Sequence, residues 1–266
     1  MECMETNSGN ILPQAQEIIS FEVPGQTLSV ECYLPRQSLR KAMVFYYGGG
    51  WMDDNRHRFR RFAADLSEAG YTVFLPEYRT YRKHGVFPEA ELEDVVAGMT
   101  FAKTLCERYG IEPGRMSVGG ASAGGHLVLC AALLEPYRSR IGVPPEKIVL
   151  FNPVCCTCSI NDWVESVIGI RFPFEGMCPL HGLGKAGPPI LAMHGTDDEI
   201  APAADLESFA AVYAKAGGAC SVKLYPGRRH GFHHPEQSEA DYRDTLQTVL
   251  SFLGETPSPD IGKGDV

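Results

Sequence analysis

The stretch that most constrains this chain is Gly-Ala-Ser-Ala-Gly at residues 120–124. Residues 115–119 before it have the pattern of a short strand, and the Ala- and Leu-rich run 125–134 suits a buried helix. G-x-S-x-G between a strand and a helix is the nucleophile-elbow pattern, a turn so tight that glycines at its flanks leave room for neighbouring backbone. The motif predicts that Ser122 is a nucleophile. The alternative is a glycine-rich turn without chemistry.

Strand-like and helix-like patterns alternate along the rest of the chain. Two alternating runs around the Pro-Gly turn at 24–25 predict an opening hairpin, and the apolar run 41–47 predicts a strand buried on both faces of a sheet. We predict further strands near 71–75, 115–119, 147–151, 189–193 and 221–225, and helices near 56–69, 88–109, 203–216 and 236–253. This order predicts one doubly wound α/β domain over residues 1–266, with a disordered tail at about 255–266.

Residues from about 154 to 187 interrupt this alternation. They have no clear periodicity and carry several cysteines, Trp163 and Phe172. A long irregular segment in a compact domain often covers a site, so we predict a short lid insertion here. Trp163 and Phe172, together with Trp51 after the third predicted strand, are candidate substrate-binding residues.

A serine hydroxyl needs a base that takes its proton as it attacks, and an imidazole suits that task near neutral pH. In an open parallel sheet, functional groups lie at the carboxyl ends of strands. Acidic residues at 197–199 follow one late strand, and histidines at 230–234 follow the last one. We therefore expect both groups at the same sheet edge as Ser122.

The residues within these two loops are not equivalent. Asp198 is the favoured acid because the Gly-Thr-x-Asp turn brings its fourth residue back toward the site, and Asp197 is the alternative. His230 is the favoured base because Gly231 beside it leaves room for the imidazole to turn inward.

The other histidines of these loops are predicted to have no part in the chemistry. His194 ends a strand and is expected to hydrogen-bond loop backbone. His233 and His234 are expected on the solvated start of the final helix.

Acyl transfer also needs donors for the negative charge that develops on the carbonyl oxygen. Gly48, Gly49 and Gly50 follow the third predicted strand and offer backbone N–H groups that no side chain shields, and Ala123 after the serine offers another. A flexible turn is the alternative for the glycine triplet. Its place in the strand order favours the oxyanion site.

The composition of the chain limits the classes of partner that it is expected to bind. The formal net charge of −9 gives no basic field for nucleic acid or an anionic membrane, and no apolar run approaches the length of a membrane span. The nine cysteines are irregularly spaced, and the N-terminal residues lack the pattern of a signal peptide. We expect a cytoplasmic protein with reduced thiols and a small-molecule partner; the oligomeric state is not predicted.

The cluster Cys155-Cys156-Thr157-Cys158 raises the question of a metal. We expect no second Cys/His pair at zinc spacing to accompany it, so free thiols within the lid are favoured. No metal and no cofactor are predicted.

Together these motifs resemble the α/β-hydrolase superfamily, and within it the hormone-sensitive-lipase-like esterases and compact acetyl- or feruloyl-esterases. The matching stretches run through most of the chain, at 48–51, 78–79, 87–88 with Asp94, 120–125, 178–179, 194–198 and 230–232. The resemblance implies a mostly parallel eight-stranded sheet with helices on both faces. It also implies hydrolysis of short-chain acyl or aromatic esters without a cofactor. Its implied site residues are Ser122, Asp198 and His230 as the triad and Gly49, Gly50 and Ala123 as oxyanion donors.

Two departures from the family pattern affect the site. The oxyanion motif usually begins with His, where this chain has Tyr47, whose hydroxyl is expected to brace the loop instead. We expect the N-terminal helical cap of hormone-sensitive-lipase-like members to be absent because a strand hairpin is predicted from about Glu17, and we expect the lid to consist mainly of residues 154–187. The alternative functions are an amidase, formamidase or small peptidase on the same triad, or a non-catalytic binding protein with this fold.

Overall fold

The computed structural model describes residues 13–254, and within them eight strands form one sheet in the order β1-β2-β4-β3-β5-β6-β7-β8. The strands are β1 (Glu17–Val23), β2 (Gln26–Tyr33), β3 (Ala42–Tyr46), β4 (Thr72–Pro76), β5 (Met116–Ala121), β6 (Ile148–Phe151), β7 (Ile190–Gly195) and β8 (Cys220–Tyr225). The β1–β2 and β2–β4 pairs are antiparallel, and the remaining pairs are parallel. The predicted opening hairpin and mostly parallel eight-stranded sheet are confirmed.

The helices in this part of the chain alternate with the strands, as predicted. They are α1 (Arg60–Glu68), α2 (Tyr81–His84), α3 (Pro88–Arg108), α4 (Ser122–Leu133), α5 (Tyr137–Ile141), α6 (Thr157–Ile168), α7 (Pro179–Gly182), α8 (Ala203–Lys215) and α9 (Glu239–Leu253). None of these described helices combines the length and apolarity needed to cross a bilayer. The predicted tail at 255–266 lies outside the described residues.

Helices cover both faces of the sheet because successive residues of a strand point to opposite sides. On β3, Phe45 contacts Phe62 of α1, with ring centroids 5.4 Å apart. Its neighbour Tyr46 points the other way and donates its hydroxyl to the Val95 carbonyl of α3 at 3.1 Å. All five residues of β3 are buried, which explains why its sequence is a continuous apolar run.

The segment 154–187 holds more regular structure than its sequence pattern indicates. It contains the twelve-residue helix α6 and the single turn α7. Among the described side chains of α6, the buried apolar ones are Ile160 and Val164, and two such residues are too few to produce a clear helical period. The lid function of this segment stays a proposal.

Candidate active site

Ser122 lies at the junction of β5 and α4, where the chain turns from strand to helix. Its φ of 51° is in the left-handed region, which costs energy for a residue with a Cβ. The neighbouring glycines allow this turn: a Cβ on Gly124 would lie 2.2 Å from the Tyr47 carbonyl oxygen, and a Cβ on Gly120 would lie 2.6 Å from the Gly124 backbone. The expected steric reason for both glycines is confirmed.

A continuous hydrogen-bonded chain joins Ser122, His230 and Asp198. His230 lies 2.9 Å from the Ser122 hydroxyl through Nε2 and 2.7 Å from Asp198 Oδ2 through Nδ1. A carboxylate only accepts hydrogen bonds, so Nδ1 carries the imidazole proton and Nε2 accepts from the serine hydroxyl. The three groups come from the carboxyl ends of β5, β7 and β8, where the topology predicts them.

Asp198 is held as a carboxylate by four donors. Its Oδ1 accepts the backbone N–H groups of Ile200 and Ala201 at 3.0 and 2.9 Å. Its Oδ2 accepts from His230 and, at 3.1 Å, from His194 Nε2. Burial by itself raises the pKa of Asp198, but the hydrogen bonds from His194, His230 and the Ala201 backbone outweigh it and hold the pKa well below its usual range.

Asp197, the alternative acid, does not reach His230. Its side chain is exposed and accepts a hydrogen bond from the Thr196 hydroxyl at 2.9 Å. The structure therefore joins His230 to Asp198, the favoured acid, and leaves Asp197 facing solvent.

His194 is buried behind this acid. Its Nε2–H donates to the Ala201 carbonyl at 2.8 Å, which confirms the predicted contact with loop backbone. The same N–H also faces Asp198 at 3.1 Å, a contact that the sequence analysis does not predict. The spacing of four residues between His194 and Asp198 was the available signal for it.

Asn152 is a site residue that the sequence analysis misses. It follows β6, has a φ of 35° and is buried. Its Nδ2 lies 3.3 Å from His230 Nε2, and its Oδ1 accepts the Gly231 backbone N–H at 3.2 Å. Asn152 thus ties the His230 loop, which follows β8, to the carboxyl end of β6. Its position directly after a parallel strand was the signal that could have identified it.

The prediction that His233 and His234 lie on the solvated start of the final helix is wrong. Helix α9 begins only at Glu239, and both histidines are buried in the preceding turns. The His233 ring stacks on Phe151 with centroids 4.6 Å apart. Burial lowers the pKa of both rings, that of His234 to about 4, so both are neutral near pH 7 and form an uncharged wall beside His230.

Tyr47 braces the loop that carries the glycine triplet. Its hydroxyl donates to the Tyr78 carbonyl at 3.0 Å and accepts the Tyr78 N–H at 3.3 Å, while the Tyr78 hydroxyl donates to the Tyr47 carbonyl at 2.7 Å. The two rings stack with centroids 4.3 Å apart. Burial raises the pKa of Tyr47 well above its usual value, so this reciprocal arrangement stays neutral. The expected bracing contact is confirmed.

The glycine triplet runs alongside the serine. A Cβ on Gly48 would lie 3.0 Å from the Ser122 Cβ, and one on Gly49, whose φ is +149°, would lie 2.2 Å from the Asp53 carbonyl oxygen. Gly49 and Gly50 lie in a loop. Among the loop and turn hydrogen bonds of residues 13–254, neither glycine donates its N–H to a backbone carbonyl. Ala123 is the second residue of α4, where helical N–H groups lack intrahelical partners.

A cavity of about 340 Å³ opens over this arrangement. Its walls include Gly50, Ser122, Trp163, Ile200, His230 and Gln237. Trp163 reaches it from α6, and its ring lies so close to Gly50 that a Cβ there would be 2.9 Å from the indole. Of the three predicted substrate-binding aromatics, Trp163 is the one that borders the cavity.

Trp51 and Phe172 are placed elsewhere, which corrects the expectation that they bind substrate. Trp51 is 1% exposed and packs edge-on against His126 and Phe174 at 5.3 and 4.8 Å between ring centroids. Phe172 is 2% exposed and contacts Tyr81, Phe87 and Phe174. Large apolar rings stabilise the protein most when fully removed from water, and here they fix the segment 154–187 to the rest of the domain.

Two family models match different parts of the chain. The family model BD-FAE matches residues 30–143, and that of the dienelactone hydrolase family matches residues 176–256. The acetylxylan esterase of Xylanibacter ruminicola is 26% identical over 253 residues, covering 86% of this chain and 48% of that protein. Carboxylic ester hydrolase LipN of Mycobacterium tuberculosis is 34% identical over 218 residues, covering 71% and 56%. The chain spans about half the length of the first curated relatives.

Solved structures agree on the fold along nearly the whole chain. Thermogutta terrifontis esterase 2, phosphonylated by sarin, superposes with a TM-score of 0.81 at 25% identity, covering 93% of this chain and 98% of that one. Its propionate-bound form superposes with a TM-score of 0.78 over the same coverage. With the eight-stranded sheet and the serine turn described above, these similarities identify the chain as a member of the α/β-hydrolase superfamily.

Proposed function

We propose that this protein is a serine carboxylesterase that hydrolyses short-chain acyl or aromatic esters through an acyl-enzyme. The observation that carries the proposal is His230, which bridges the Ser122 hydroxyl at 2.9 Å and the Asp198 carboxylate at 2.7 Å beside an open cavity. The names of the curated relatives, an acetylxylan esterase and a carboxylic ester hydrolase, support the same reaction class.

The proposed reaction has two steps. As Ser122 Oγ attacks the ester carbonyl carbon, His230 Nε2 takes its proton and Asp198 stabilises the imidazolium that forms. Backbone N–H groups of Gly49, Gly50 and Ala123 bind the oxyanion. The C–O bond to the alcohol breaks, and the alcohol leaves with the proton from His230. Water then attacks the acyl-enzyme by the same route, which releases the carboxylic acid and restores Ser122.

The cavity supports small substrates. Its volume of about 340 Å³ is near the lower end of the range for ligand pockets, about 300–1,000 Å³. This accommodates an acetyl or propionyl group or a single aromatic ring of the feruloyl type. The net charge of −9 supports a small-molecule partner over nucleic acid, and the free thiols of the eight described cysteines support a reducing compartment such as the cytoplasm.

Covalent labelling tests the proposal directly. We expect a fluorophosphonate probe to form one adduct on Ser122, located by peptide mass spectrometry, and heat-denatured protein to form none. Matched aryl ester and anilide substrates should then show faster turnover of the ester. A panel of acyl chain lengths, acetylated sugars and feruloyl esters identifies the preferred acyl group. Absence of the adduct would indicate a non-catalytic binding protein with this fold, and faster anilide turnover would indicate an amidase.

Trp163 is expected to limit the acyl chain. Because its indole lies against Gly50 at the cavity wall, Trp163→Ala should raise the ratio of kcat/KM for an octanoyl over an acetyl aryl ester by about tenfold. Trp163→Phe keeps a ring and should change the ratio less. The ratio is measured with p-nitrophenyl esters alongside the Tm of each variant. An unchanged ratio in folded Trp163→Ala would exclude this residue from the acyl site.

A further inference from the structure

Three cysteines and a histidine meet at the base of the predicted lid. Cys156 and Cys158 lie at the start of α6, Cys178 directly precedes the turn α7, and His181 lies within that turn. Their three Sγ atoms and one ring nitrogen of His181 all lie within 4.8 Å of one another. This group is separate from the hydrogen-bonded residues Ser122, His230 and Asp198, and it has no part in the reaction proposed above.

The expectation that no second Cys/His pair accompanies the cysteine cluster is wrong. Cys178-Pro-Leu-His181 is such a pair at C-x-x-H spacing, and Cys156-Thr-Cys158 is the first pair. The two pairs are separated by the length of α6 and the loop after it. The sequence alone does not show that the lid folds back on itself and brings them together.

The distances within the cluster match tetrahedral zinc coordination. Bonds of about 2.3 Å to sulfur and about 2.0 Å to nitrogen place tetrahedral ligands about 3.8 Å apart for two sulfurs and about 3.5 Å apart for sulfur and nitrogen. Here Cys156 Sγ and Cys178 Sγ are 3.9 Å apart. His181 Nδ1 lies 3.7 Å from Cys158 Sγ and 3.3 Å from Cys178 Sγ.

Backbone contacts hold both pairs in place. The Leu180 N–H donates to the Cys155 carbonyl at 2.9 Å, which joins α7 to the start of α6. Next to Cys178, the Met177 carbonyl accepts from His126 Nε2 of α4 at 2.6 Å. The four donor groups therefore converge through the fold itself, with α7 anchored to both the lid helix and the buried helix α4.

We propose that Cys156, Cys158, Cys178 and His181 bind one Zn²⁺ as a structural Cys₃His site. Soft thiolates with one imidazole in a tetrahedron favour Zn²⁺ over hard cations such as Mg²⁺. On binding, each thiol releases its proton to solvent as its Zn–S bond forms, and neutral His181 binds through Nδ1. The four ligands fill the coordination sphere, so the site has no open position for catalysis.

The zinc ties the first turn of α6 to α7. Because α6 also carries Trp163, the metal fixes the helix that walls the cavity over Ser122. The proposal concerns the architecture of the lid and does not rest on the esterase activity. A disulfide between Cys156 and Cys178 is the competing chemistry; it needs an oxidant and an S–S distance of about 2.05 Å, far below the separation observed here.

Metal analysis of the full chain, made without an affinity tag and purified with reductant but no chelator, tests the site. We expect inductively coupled plasma mass spectrometry to find about one zinc per chain. Cys178→Ser and His181→Asn should lose most of this zinc. Cys220→Ser and His57→Asn, a thiol and an imidazole outside the cluster, should retain it. Chelation of wild-type protein should lower its Tm, and added Zn²⁺ should restore it.

Cobalt keeps the test decisive if a ligand variant fails to fold. Wild-type protein stripped of metal and titrated with Co²⁺ should develop thiolate charge-transfer bands and the intense visible bands of tetrahedral cobalt. Failure of the wild-type chain to take up either Zn²⁺ or Co²⁺ would overturn the proposal. So would zinc content unchanged in folded Cys178→Ser, or a Cys156–Cys178 disulfide in protein purified under reductant.

Discussion

Ser122→Ala is expected to lower kcat for a short-chain aryl ester by at least about 10⁴-fold. The variant lacks the atom proposed to attack, since Ser122 Oγ lies 2.9 Å from His230 Nε2. The donors proposed for the oxyanion remain and account for a small residual rate. Steady-state hydrolysis of p-nitrophenyl acetate measures the loss.

The fold of this variant should be unchanged. The substitution removes one oxygen and keeps the Cβ at the positive φ of the elbow, so the same backbone strain is present in both proteins. Circular dichroism and Tm should therefore match wild type. Ser251→Ala on the exposed face of α9 is the control and should keep full activity. Turnover near wild type in folded Ser122→Ala would remove the serine from the mechanism.

The parts of the site that the sequence predicts are those set by topology. A tight turn needs glycines, and the carboxyl ends of β5, β7 and β8 meet at one edge, so the positions of Ser122, Asp198 and His230 follow from local patterns and strand order. Asp198 could be separated from Asp197 because the direction of a short turn is a local property. The few residues around each of these side chains are enough to predict that it lies at this edge of the sheet.

The residues whose positions are predicted wrongly from the sequence are those placed by contacts between distant segments. His233 and His234 are polar and precede a helix, yet both are buried, with the His233 ring stacked on Phe151 and packed against His234. Trp51 has a φ of 60° and turns into the core against His126, which no local pattern shows. The Cys₃His cluster likewise forms only because the segment 154–187 folds back on itself.

Asp198→Asn is expected to reduce kcat about 10⁴-fold, while substrate binding changes little. The asparagine Oδ1 can still accept the Ile200 and Ala201 N–H groups. Its NH₂ group then faces the N–H groups of His194 and His230, so donor meets donor. His230 must move its proton to Nε2 to avoid this clash. In that tautomer it cannot accept the serine proton, and the loss appears in kcat for p-nitrophenyl acetate.

The neighbouring Asp197→Asn is the matched control, because it makes the same chemical change one residue away. Asp197 is exposed and accepts from Thr196, which an amide oxygen also does, so activity should stay within about twofold of wild type.

The pH dependence of stability gives a second readout for the same two variants. The lowered pKa of Asp198 contributes stability that is complete above about pH 5 and is lost as pH falls toward the native value. Asp198→Asn should lack this acid-dependent loss and Asp197→Asn should keep it. If Asp197→Asn instead abolished turnover and Asp198→Asn did not, the acid that orients His230 would be Asp197.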